Sequence, residues 1–259
     1  MIITVHQGPY EDLPAAMAEA SAKGAGLVLT AEMITSGYAI GAAAVAERAE
    51  APDGPVAQDL AELAREHGVA LAYGYPERDG DTVYNSVQLL SAQGEQLANY
   101  RKTHLFGELD HSQFSPGREL VVQARLDGLR VGLLICYDVE FPEAVRAHAL
   151  SGTQLLLVPT ALMRPYELIA ETLVPARAYE SQLYVAYANR CDTEGELAYC
   201  GLSTVVAPTG AVLAKAGDGP ALISAEVDVA TLESSRAENT HLADRRPGLY
   251  RSLTEGPRA

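Results

Sequence analysis

Basic residues are scarce in this 259-residue chain: 19 Lys and Arg stand against 34 Asp and Glu, a formal charge of −15. Nucleic-acid binding needs clustered cations for the phosphates, so this balance argues against that class and fits a solvated acidic surface. Cysteine is scarce too. Cys136, Cys191 and Cys200 are odd in number and widely spaced. That pattern makes neither a disulfide framework nor a zinc cluster, and it points to a reducing compartment, the cytoplasm. No run reaches the ~18 consecutive apolar residues of a membrane span. Met1–Val5 has neither the basic region nor the apolar core of a signal peptide. The marks of several large enzyme classes are missing as well. There is no G-x-x-x-x-G-K-S/T, no strand-borne G-x-G-x-x-G, no H-E-x-x-H and no G-x-S-x-G.

What is present is ordinary globular composition, 48% hydrophobic and 20% charged. A chain of this length buries roughly 70–75% of its unfolded surface, enough to stand without a disulfide or metal. Strand and helix signals alternate from the first residue. Strands are expected at 2–5, 27–30, 69–75, 84–90, 96–101, 129–135, 154–158, 183–188, 203–207 and 222–227. Helices are expected at 14–23, at 56–67 with Pro55 opening and Gly68 closing, at 142–150, and at 165–181 with an interruption near Pro175. With no repeat and no long linker, the expectation is one mixed α/β domain over 1–259, with a charged tail from about residue 241.

The informative segment is Val131-Gly132-Leu133-Leu134-Ile135-Cys136-Tyr137-Asp138. It sets a cysteine just past an apolar strand and ahead of a helix, a corner that exposes the sulfur and turns the next N–H groups toward whatever it attacks. On its own, such a cysteine is more often packing than nucleophile. Glu32 ends the 27–30 strand, and Lys102 sits in Tyr100-Arg101-Lys102-Thr103-His104-Leu105-Phe106-Gly107-Glu108. Were the three side chains to meet at one sheet edge, they would supply a thiol, a base and a cation. A thiol of pKa ~8.5 needs such neighbours to react at neutral pH.

These segments resemble the nitrilase, or carbon–nitrogen hydrolase, superfamily. The resemblance rests on Thr30-Ala31-Glu32-Met33, Tyr100–Phe106 and Ile135–Glu143, and extends through Tyr73-Gly74-Tyr75-Pro76-Glu77, Tyr84-Asn85-Ser86, Val158-Pro159-Thr160-Ala161 and Arg177-Ala178-Tyr179-Glu180. The wording is most similar to the small aliphatic amidases, among them 5-aminopentanamidase and the R-selective amidases. The resemblance implies a four-layer αββα sandwich, a homodimer or larger homo-oligomer, and a Glu–Lys–Cys triad. By position, Glu32 is the implied general base, Lys102 the cationic oxyanion partner and Cys136 the nucleophile. Glu108 is the implied second glutamate, positioning Lys102 or the substrate. One departure is Ala31, where many members carry Pro.

The implied reaction is amide hydrolysis through a thioester. Sulfur attacks the amide carbon, Lys102 and the Tyr137 N–H face the oxyanion, and Glu32 passes the proton to ammonia and then activates water. No metal or organic cofactor is required. The partner is a small amide, with no nucleic acid and no membrane. On this reading Lys102→Ala is nearly inactive while still folded. Tyr38, Glu140, Thr160, Met163 and Tyr166 are candidates for the pocket wall. Glu140 replaces the Arg found in relatives that take carboxylate-bearing substrates, which favours neutral or ω-amino aliphatic amides. Arg177 and Glu180 are expected to form an i,i+3 brace. Rival readings are a nitrile or N-carbamoyl hydrolase, an acyltransferase, a redox sensor on Cys136, and a non-catalytic binding module.

Overall fold

The computed structural model describes residues 1–253. The chain opens with β1 (Ile2–Gln7), whose β-branched run stops at Gly8-Pro9. Then come α1 (Leu13–Ala22), β2 (Ala25–Leu29), α2 (Ala42–Arg48) and α3 (Pro55–His67). Pro55 starts α3 and Gly68, in the left-handed region at φ 64°, ends it, as the sequence pattern predicts. A meander follows: β3 (Ala70–Asp79), β4 (Thr82–Leu90) and β5 (Gln96–Arg101), leading to the single-turn α4 (Gly107–His111). β6 (Val122–Leu126) and β7 (Leu129–Leu133) form a hairpin across Asp127-Gly128, both at positive φ (48° and 82°) as a tight two-residue turn requires.

Next are α5 (Pro142–Leu150), β8 (Leu155–Pro159), α6 (Val174–Ser181) and β9 (Tyr184–Ala188). The helix expected from 165 starts later, and the interruption is a π-helical turn over Ile169–Leu173. Pro175 has no N–H to give the carbonyl four residues back, and the backbone widens there. The chain finishes with the short hairpin β10 (Thr193–Glu194) and β11 (Leu197–Ala198), strands β12 (Thr204–Val206), β13 (Val212–Lys215) and β14 (Ala221–Glu226), and α7 (Val229–Glu238). The sequence pattern assigns nothing to α2, α7, β6 or β13. α2 is a run of alanines with one buried residue, Val45, and α7 buries only Leu232 and Ser235, so neither carries an apolar stripe. The expected tail from 241 continues into residues 254–259, which lie outside the described residues.

Two six-stranded sheets share one plan. Their orders are β14-β1-β2-β3-β4-β5 and β13-β12-β9-β8-β7-β6. In each, three parallel strands (β1, β2, β3 and β7, β8, β9) are flanked by antiparallel partners. Alternation along the strands separates the layers. Ile3, Val5, Leu27, Leu29, Ala70 and Ala72 face the second sheet, whereas Val28, Leu71 and Tyr73 face Leu13 and Met17 of α1 and Leu60 of α3. On the far side, Val145, Ala149, Val174 and Ala178 of α5 and α6 cover the second sheet. The result is the αββα sandwich the sequence implies. Among the described residues no helix is long and apolar enough to cross a membrane. The carboxyl ends of β2, β5, β7 and β8 open onto one place, where parallel-sheet proteins gather their reactive groups.

Candidate active site

Glu32 sits three residues past β2 in a turn that rests on β3. A Cβ on Gly74 would stand 2.6 Å from the Met33 nitrogen and 2.8 Å from the Ala31 oxygen, so only glycine admits this approach. Ala31 is fully buried in the turn, and the Glu32 N–H reaches the Thr160 carbonyl at 3.3 Å. The Glu32 side chain is also fully buried. Its Oε1 accepts from Lys102 Nζ at 2.8 Å and from Asn85 Nδ2 at 2.6 Å. Its Oε2 has no hydrogen-bond partner.

Lys102 follows β5, held by its own N–H on the Asn85 carbonyl (2.8 Å) and by the Gly117 N–H on its carbonyl (2.7 Å). Its buried ammonium bridges Glu32 Oε1 and Asp110 Oδ2 at 2.8 and 2.7 Å. Asp110 comes from α4 and is itself held: Oδ2 accepts the Phe106 N–H at 2.8 Å and Oδ1 accepts the Tyr38 hydroxyl at 2.7 Å. A cation between two buried carboxylates compensates the charge that burial would otherwise make prohibitive.

Cys136 occupies the corner after β7 with φ 45°, a left-handed conformation that non-glycine residues adopt only when their surroundings enforce it. The enforcement is visible. Asp138, fully buried, accepts the Ile135 N–H (3.1 Å) and the Tyr100 hydroxyl (2.8 Å) on Oδ2, and the Thr103 hydroxyl and His104 N–H (both 2.9 Å) on Oδ1. One carboxylate thus ties the cysteine turn to the segment that carries Lys102. From the other side, the Arg177 guanidinium donates to the Val139 and Glu140 carbonyls at 3.0 and 2.7 Å while pairing with Glu180 at 2.8 Å, so the expected i,i+3 brace also caps the turn.

Electrostatics set the resting protonation. Burial pushes the Cys136 thiol well above its ordinary value; Glu32 adds to the rise and Lys102 opposes it. Burial also raises Glu32, with Lys102 pulling it down and Asp110 pushing it up. A thiol held protonated next to a carboxylate with one unbonded oxygen is arranged for proton transfer as the sulfur attacks, rather than for a standing thiolate.

The sulfur opens into a cleft of about 60 Å³ walled by Tyr38, Phe106, Tyr137, Glu140, Leu162, Met163 and Tyr166. Of the residues expected at the pocket, Tyr38, Glu140, Met163 and Tyr166 line this cleft. Two expectations need correction. Glu108 is exposed on α4 and makes no contact with Lys102; Asp110 takes that place. Two helical residues turn the side chain by about 200°, so when 110 faces the lysine, 108 faces solvent. Thr160 is not on the cleft wall. It is fully buried, and its hydroxyl donates to the Tyr187 hydroxyl at 3.0 Å. The sequence reading also passed over Asp138, although it lies two residues past the cysteine. Cys200 is buried against the Leu162 carbonyl, and Cys191 lines a separate cavity.

A buried carboxylate and the buried ammonium paired with it, next to a left-handed cysteine that opens into a cleft, are the parts of a cysteine-dependent hydrolase. The carbon–nitrogen hydrolase family model matches residues 10–237, and the chain belongs to that family. It is 52% identical over 232 residues to a Pseudomonas protegens protein named hydrolase in pqqF 5'region, covering 89% of this chain and 81% of that protein. It is 38% identical over 233 residues to an (R)-stereoselective amidase from a Pseudomonas species, covering 89% and 83%. Among solved structures, an amidase from Nesterenkonia sp. superposes with a TM-score of 0.84 at 34% identity, covering 98% of this chain and 96% of that one. In a glutamate-to-glutamine variant of the Nesterenkonia amidase, also at TM-score 0.84, with 33% identity and coverage of 98% and 99%, acrylamide has added to the active-site cysteine.

Proposed function

We propose that this enzyme hydrolyses short aliphatic amides to carboxylic acid and ammonia through a thioester on Cys136. The observation that carries the reading is the Glu32–Lys102 pair beside Cys136, with Glu32 Oε2 left unbonded. Sulfur attacks the amide carbon as Glu32 takes the thiol proton. The oxyanion faces the Lys102 ammonium and the Tyr137 N–H. The tetrahedral intermediate collapses, the C–N bond breaks, and Glu32 gives its proton to the departing ammonia. Water then enters, Glu32 takes its proton, and the acyl–sulfur bond is cleaved. Asp110 holds the ammonium in place. Relatives of this chain that carry the name amidase support the same chemistry.

Glu140 sets the preferred tail. Its carboxylate lines the cleft among Phe106, Tyr137 and Tyr166 and forms no hydrogen bond or ion pair among the described residues. A carboxylate framed by aromatic faces favours an ammonium and repels an anion. The test is kcat/KM on butyramide, its ω-amino analogue and its ω-carboxyl analogue, with the matching nitrile as control. We expect ammonia from the amides and not the nitrile, the ω-amino amide best, and loss of that preference in Glu140→Gln. Turnover of the carboxylate analogue above the other two would end the assignment.

The chain also suits a homodimer. Leu150 on α5, Tyr179 on α6, and Leu249 and Leu253 beyond α7 are exposed apolar side chains. Light scattering is expected to give twice the 27.5 kDa chain mass. Free thiols at all three cysteines fit the reducing cytoplasm.

A further inference from the structure

A carboxylate far from the chemistry points at the machinery. Glu194, in the β10–β11 hairpin, is 13% exposed at its side chain. It gathers donors from the loop after Glu32: the Tyr38 N–H lies 3.1 Å from both its oxygens, and the Ala39 N–H lies 2.8 Å from Oε2. The Tyr199 hydroxyl (2.6 Å) and Arg190 (2.9 Å) complete its shell. Gly37 is shaped for this contact, with φ +93° and Glu194 Oε1 only 2.7 Å from where a Cβ would stand. The Tyr38 ring packs with Met33, Leu105, Phe114 and Met163, but the loop backbone at 36–37 borders open space. A cavity of about 560 Å³ lies there, lined by Ser36, Gly37, Ile40, Arg190 and Glu194. The loop backbone at Tyr38 and Ala39 is therefore held by one carboxylate in addition to the apolar packing of the Tyr38 ring.

We propose that Glu194 is a positioning residue for the hydrolytic reaction, fixing the Tyr38 backbone so that the Tyr38 hydroxyl holds Asp110 and, through Asp110, the Lys102 ammonium. The proposal rests on the assignment of Lys102 to the oxyanion. The relay is continuous: Glu194 to Tyr38 N, Tyr38 OH to Asp110 Oδ1, Asp110 Oδ2 to Lys102 Nζ, and Lys102 Nζ to Glu32 Oε1. Without Glu194, the Tyr38 and Ala39 N–H groups lose their acceptor beside an open cavity. A shift of that backbone moves the ring hydroxyl within its apolar packing, and Asp110 loses a donor it needs to stay aimed at the lysine.

The experiment is a double-mutant cycle in the full-length enzyme with propionamide, using Glu194→Ala, Tyr38→Phe and both together. Glu194→Gln, which keeps one acceptor oxygen, is the conservative variant, and Glu196→Gln, exposed on the same hairpin, is the charge control. We expect kcat to fall about 10- to 100-fold in Glu194→Ala with a smaller change in KM. Tyr38→Phe should do the same, and the double variant should be within about 2-fold of the worse single one, because both act through one hydroxyl. Glu194→Gln should recover part of the loss and Glu196→Gln should match wild type. A kcat within about 2-fold of wild type in Glu194→Ala, or losses that multiply in the double variant, would overturn the proposal. If Glu194→Ala does not fold, judged by circular dichroism, the cycle is run with Glu194→Gln and the same two outcomes decide. Lys102→Met separates the two levels. Retained turnover there removes the oxyanion assignment itself, whereas an inactive Lys102→Met beside fully active Glu194 variants removes only the relay.

Discussion

At the residue scale, the role proposed for Lys102 ties catalysis and stability to one atom. The sequence reading treats this lysine as a charge whose removal spares the fold. Its ammonium, however, is fully buried between Glu32 and Asp110. Removing it strands two carboxylates in a low-dielectric pocket, a situation that costs about 3–5 kcal/mol in comparable buried pairs. Lys102→Ala is therefore expected to lose stability as well as activity. The pH dependence carries a definite sign. Burial already raises Glu32 above the ordinary carboxylate value of 4.5, and Lys102 opposes that rise, so its loss lifts Glu32 further. A carboxyl group with a raised folded-state pKa binds its proton more tightly when folded. Its contribution to stability is present below the unfolded value and is lost as pH climbs through the folded one. Urea midpoints should show the largest deficit of Lys102→Ala relative to wild type at pH 7, shrinking toward pH 5. A deficit that widens on acidification would contradict this account.

At the element scale, the site depends on strand ends that are held in place rather than on the helices around them. β3 is the clearest case. Gly74 lies under the Glu32 turn so closely that any side chain would meet backbone on both sides, at 2.6 Å to Met33 N and 2.8 Å to Ala31 O. Backbone cannot rotate away as a flexible side chain does. Gly74→Ala is expected to push Glu32 off Lys102 and to cost about 1–3 kcal/mol as an overpacked core substitution. The readouts are a lower thermal midpoint together with a fall in kcat well beyond that of a surface control such as Gly248→Ala, which is exposed with open space at its Cβ. Full activity in Gly74→Ala would mean that the turn can shift without carrying Glu32 with it. The same logic accounts for Cys136, whose φ of 45° is kept by Asp138 and Arg177 on opposite sides of one short turn.

At the scale of the whole molecule, the formal charge of −15 is a standing repulsion that the fold must outweigh. Surface ion pairs such as Lys23–Glu19 and Lys215–Glu171 are largely exposed and offset little of it. Salt shortens the reach of the repulsion, from a Debye length of about 10 Å at 0.1 M to about 3 Å at 1 M. Raising sodium chloride across that range is expected to increase the thermal midpoint by about 2–4 °C per kcal/mol recovered. A falling midpoint in calorimetry would show that the ion pairs outweigh the net charge.

The sequence by itself determined the alternation of strands and helices in one mixed α/β domain, because Pro55, Gly68 and the strand runs act within a few residues of where they stand, while the layered sandwich was legible only through the family resemblance. Through the family resemblance it also marked Glu32, Lys102 and Cys136 as the candidates for the chemistry, which a strand end alone does not single out. The choice of Asp110 over Glu108 was left to the tertiary structure, because the phase of a single helical turn depends on what the turn packs against. So was Glu194, which reaches Tyr38 across 156 positions of chain. Such a contact leaves no trace in spacing: it is created only when two sheets, each folded by local rules, settle face to face and bring unrelated loops within hydrogen-bond distance.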